Sequence, residues 1–178
     1  MTTPPTALSV LELARLFLDG VEQHFADQAA DLPDRRFIAP GNPQLIAWDC
    51  EQLFVALTGI GIGPAPDSPV QSPRQGGPVS AFNVRHAIFS IQLVRCTPTV
   101  PENGNEAYPP ADQIDAAGAQ SMRDAGLLSD AVVLMCSQLS KALPPGSHVQ
   151  AGLTSSLGPE GGYHANEATV AVTAMRLV

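Results

Sequence analysis

Segments of helical and strand periodicity follow one another along this chain in an order that leaves room for one small α+β domain with oversized loops. A leader helix is followed by a strand, a long Pro/Gly stretch, a second strand, a long helix and a closing hairpin. Ser9 with Glu12 three residues on is a capping-box pattern. Val10, Ala14, Phe17, Val21 and Phe25 then recur at spacings of three and four, predicting a helix over 8–26. Leu13, Leu16 and Leu18 widen its apolar stripe beyond what one sheet face needs, which hints at contact with another subunit.

Residues 27–43 carry Pro33, Pro40, Gly41 and Pro43 and read as an irregular connection. A strand is predicted from Gln44 to Leu57, with Ile46, Trp48 and Cys50 on one face and Asp49 and Glu51 on the other. Residues 58–78 hold five prolines and five glycines, so a long loop is expected there, of the kind that is usually functional or disordered. A central strand over 82–96 turns Ala87, Phe89, Ile91 and Leu93 to one face and His86, Ser90 and Gln92 to the other. After a second Pro-rich loop (97–110), Ala125, Leu128, Val132, Met135, Leu139 and Leu143 mark a helix that stops at Pro144 and Pro145, with Gly126 as a possible kink. The remainder predicts an antiparallel hairpin over 148–175 around a GPEGG turn. The expected architecture is therefore α+β: a mixed or antiparallel sheet of about four strands against two main helices, in a single domain spanning 1–178.

Aromatic residues make up only 5% of the chain, so aliphatic fit must fill the core. The net charge of -8 and the single lysine, Lys141, argue against tight nucleic-acid binding, which depends on Lys and Arg displacing counterions. No apolar run reaches membrane-spanning length and no signal-peptide pattern is present, so a soluble, non-secreted chain is expected. Cys50, Cys96 and Cys136 lie in apolar segments without metal-ligand spacing. They read either as buried free thiols or, for Cys50 and Cys96, as a bridge between neighbouring strands.

Assembled chemistry is not legible. Asp49 and Glu51, two apart on a strand, could hold a cation on one face, but the only lysine is far away in sequence, and a solvated or subunit-facing pair is the plainer reading. Gly59, Gly61 and Gly63 mimic a phosphate cradle, yet Pro64 and Pro66 follow where a helix should begin. The four histidines show no triad or HExxH spacing, and no serine sits in a nucleophile elbow. Tyr163 and His164 read as a hairpin shoulder or contact surface. No catalytic residue, cofactor or metal site is expected.

LPDRRFIAPGNPQLIAWDCEQLFVAL (Leu32 to Leu57), with a Gly/Pro loop and then IQLVRCTP (Ile91 to Pro98), resembles the tail terminator proteins of long-tailed bacteriophages of actinobacteria. The resemblance implies a mixed sheet with helices on one side and a homohexameric ring in the virion. Such a ring caps the finished tail tube, meets the major tail tube protein and the head-side connector, and lets DNA pass through its lumen without specific binding. On that reading, Arg35 and Arg36 would meet Asp49 and Glu51 of the next subunit, and the 58–78 loop with Arg74 would touch the tube or connector. The alternatives are another neck or minor tail protein, or a small-ligand or enzymatic α+β domain.

Overall fold

A computed structural model describes residues 9–39, 41, 51–62, 85–98, 109–143, 146–160 and 162–174. The chain runs α1 (Val10–Asp27), β1 (Arg35–Ala39), β2 (Gln52–Ile62), β3 (Arg85–Cys96), α2 (Ala111–Ala142), β4 (His148–Glu160) and β5 (Tyr163–Ala174). The fold is α+β, as expected, but the sheet has five strands, in the order β1-β2-β3-β5-β4. The additional strand, β1, lies within the segment expected to be irregular. Only five residues long and close to Pro33 and Pro40, it pairs parallel to β2 at the sheet edge, where a short strand next to proline is tolerated.

Antiparallel pairing joins β2 to β3, β3 to β5 and β5 to β4. β3 is central, as its alternation implies. β2 extends beyond the predicted limit at Leu57, through a register shift between Leu57 and Gly59, to Ile62. The first residues of the expected loop are thus strand, and one of their glycines has a packing role. A Cβ on Gly61 would collide with the ring of His86, its partner across the ladder. Gly63 and the Gly/Pro residues after it, with Arg74, lie outside the described residues.

Ser9 caps α1, its hydroxyl accepting from the Glu12 N–H at 3.5 Å, and the helix buries Leu13, Ala14, Phe17, Val21 and Phe25. These pack on one face of the sheet with Leu53, Val55, Phe89, Ile91 and Val170, and the rings of Phe17 and Phe89 lie 5.2 Å apart. α2 joins this layer through Leu128, Ala131, Val132 and Met135. The two helices meet closely at Gly20, where a Cβ would collide with Sδ of Met135. A smaller cluster of Ala39, Phe54, Ala56, Val94 and Ala165 forms on the other face of the sheet, as strand alternation dictates.

β4 is the second edge of the sheet. Its ladder with β5 breaks register twice, between Ala151 and Thr154 and between Leu157 and Glu160. Leu153, within the first break, is 80% exposed. Among the described residues no helix is long and apolar enough to cross a membrane.

Candidate functional site: a buried arginine cluster beside an apolar cavity

Residues 87, 89, 91 and 93 of β3 face the helices, and strand alternation places Arg95 next in that row. A charge there needs partners, because an unpaired buried ion is prohibitively costly. α2 supplies one: Asp124, one helical turn before Leu128 on the buried stripe, accepts from Arg95 Nε at 2.9 Å. Nη1 donates to Glu51 Oε2 at 3.0 Å, and Nη2 to the Asp31 carbonyl at 2.7 Å. Four segments of chain therefore converge on one guanidinium. Arg95 is 6% and Asp124 3% exposed. Burial alone would lower the Arg95 pKa, but the bonds to Asp124 and Glu51 outweigh it and raise the value above the ordinary one.

Glu51 is held in an unusual conformation to take part. Its φ is +66°, a left-handed region rare for residues with a Cβ. Its second carboxylate oxygen accepts the Cys96 N–H at 3.1 Å. The backbone at Glu51 is thus not the extended strand expected there, and its carboxylate is engaged within its own chain. Asp49 lies outside the described residues. Arg36 contacts Glu22 of α1 at 3.5 Å, and the Arg35 guanidinium lies over the Phe37 ring at 5.2 Å. The two candidate interface groups Arg36 and Glu51 therefore have partners in the same chain.

The cysteine reading divides. Cys136 is a buried free thiol, its pKa pushed up to about 11 by burial. Cys96 is disulfide-bonded, so the free-thiol reading fails for it. Cys50 lies outside the described residues.

His164 sits opposite Arg95 in the β3–β5 ladder. The pair Tyr163 and His164 does begin β5 at the hairpin shoulder, but His164 is only 6% exposed and is no surface residue. Two residues on, Asn166 donates to the Ser121 carbonyl at 3.1 Å and accepts from the Ser156 hydroxyl at 2.6 Å. Together with Arg95–Asp124, these bonds pin the middle of α2 to the sheet. Outside them opens a cavity of about 370 Å³, walled by Pro98, Pro109, Ile114, Ala117 and Leu157, with Thr97 and His164 also lining it.

The His164 pKa is lowered, chiefly by desolvation; nearby Arg95 lowers it further, while Asp124 and Glu51 act in the opposite direction. With a folded value below the unfolded 6.5, the unfolded chain binds the proton first as pH falls. Stability is then fully present above about pH 6.5 and declines below it. Thermal melts between pH 7.5 and 5.5 are expected to show a falling midpoint, and His164→Gln should flatten that slope.

Arg95 and Asp124 did not stand out in the sequence as site residues, although both interrupt apolar stripes at core-facing positions. A search against protein-family models found no match for this chain, and a search of curated proteins found none either.

Proposed function

We propose that this protein is a structural subunit that closes with copies of itself into a ring, in the manner of the phage tail terminators its sequence resembles, capping a tail tube and receiving the head-side connector in the virion. The observation that supports this reading is the presence of two unlike apolar surfaces far apart on one chain. One is the groove between α1 and α2, about 490 Å³, where Leu16, Gly20, Met135 and Leu139 are lining residues. The other is the amino-terminal half of α2, where Ile114 is 51% and Met122 75% exposed. From Ile114 to Leu139 the helix rises roughly 38 Å at about 1.5 Å per residue. Two different patches of this kind are what head-to-tail contacts require, and such contacts close into a ring when the rotation closes.

Light scattering on the purified chain should give a closed oligomer, with six copies of 18.6 kDa as the expected size, and negative-stain images should show it on the ends of tail tubes. Leu16→Glu or Met122→Glu should each yield monomers while changing the subunit's own stability by no more than about 0.5 kcal/mol, since both positions face solvent. A chain that stays monomeric beside its tube protein removes the proposal.

A further inference from the structure

Two residues that line the cavity outside the arginine cluster each carry a polar atom whose hydrogen-bonding capacity is unused among the described residues. Nε2 of His164 and Oγ1 of Thr97 are both buried without a hydrogen-bond partner among the described residues, and both residues line the same cavity. A buried polar atom without a partner is rare and costly. Each atom is itself buried, so contact with a ligand requires its side chain to turn toward the cavity, a movement that breaks no side-chain hydrogen bond among the described residues. Of the two other hydroxyls at this wall, those of Ser121 and Ser156, that of Ser156 already donates to Asn166.

We propose that this cavity binds a small uncharged alcohol or phenol, with its hydroxyl against His164 and Thr97. The size suits a single ring, since about 370 Å³ lies near the lower end of ligand pockets, roughly 300–1,000 Å³. The walls formed by Pro98, Pro109, Ile114, Ala117 and Leu157 offer apolar surface to its body. Charge is not called for: the positive charge nearest to hand, Arg95, is matched by Asp124 and Glu51, and an ionised ligand would be stranded among apolar side chains. A hydroxyl fits because it both donates and accepts. It donates to the lone pair of a neutral imidazole and accepts from the threonine O–H.

The probe is p-cresol, titrated calorimetrically into the full chain, with toluene as the same body lacking the hydroxyl. Saturable p-cresol binding is expected, with toluene weaker by about tenfold, the worth of one or two hydrogen bonds. His164→Phe and Thr97→Val should each weaken p-cresol by about fivefold or more and leave toluene within about twofold. Should His164→Phe fail to fold by circular dichroism, Thr97→Val carries the comparison. The titration is repeated on Leu16→Glu, whose substitution lies in the other groove, so that a ring covering the cavity does not hide it and the two proposals fail separately. Absence of saturation in both proteins, equal affinities for p-cresol and toluene, or unchanged p-cresol binding in the folded variants overturns the proposal.

Discussion

Replacing Asp124 by alanine should lower the unfolding free energy by about 3 kcal/mol, toward the lower end of the roughly 3–5 kcal/mol that follows when one partner of a buried ion pair is removed. The charge left behind is not wholly abandoned. Arg95 keeps Glu51 and the Asp31 carbonyl, but Glu51 is about half exposed and its attraction is screened by water. The loss therefore reflects a stranded guanidinium more than a missing attraction. The double variant Arg95→Met/Asp124→Leu should recover most of the stability, because well-packed apolar replacements for a buried pair are often neutral or better. Urea melts of the single and double variants decide the matter: a double variant as unstable as Asp124→Ala would mean that the pair itself, and not the unpaired charge, carries the energy.

The second large effect concerns Cys96. Reduction, or Cys96→Ala, is expected to cost about 2–5 kcal/mol, the usual range for loss of a native disulfide. Intact mass should rise by about 2 Da on reduction, as two thiols replace one S–S bond. Cys136 should stay unreactive toward thiol reagents at neutral pH until the chain unfolds, because the nucleophilic thiolate is suppressed by burial. The Cys96 bond also lies beside Glu51, which holds the Cys96 N–H and Arg95. Reduction should therefore loosen the arginine cluster, visible as faster hydrogen exchange at Cys96 and in the middle of α2.

How far the fold could be read from sequence depended on whether a segment's pattern was local. α1 was legible because its cap and stripe are contained within 18 residues, and β3 and β5 because period-two alternation sustained over such a length fits a strand and little else. β1 was not. Arg35–Ala39 is too short to display a period, and what makes it a strand is the neighbouring β2, a partner that no local pattern reveals. The TGIGI segment was misassigned for a related reason: glycine there serves the close approach of His86 across the ladder, not a turn. The arginine cluster left a readable trace. Arg95 continues the row Ala87, Phe89, Ile91, Leu93, and Asp124 precedes Leu128 by four, so opposite charges stood at core-facing positions of two elements. Nothing in the spacing could show that they would meet, because 29 residues separate them. His164 was legible as part of a hairpin shoulder, but its burial arises from α2 lying across that end of the sheet.

The two breaks in the β4 ladder bear on a hazard that self-associating proteins face. A flat, evenly spaced border of 13 residues would present regularly spaced amide and carbonyl groups to any passing strand, and copies could stack without limit into fibrils. Interrupting that spacing twice bends the border and removes the template. In the ring proposed above, side-chain surfaces would then be the means by which copies recognise one another, and growth could stop at a fixed number.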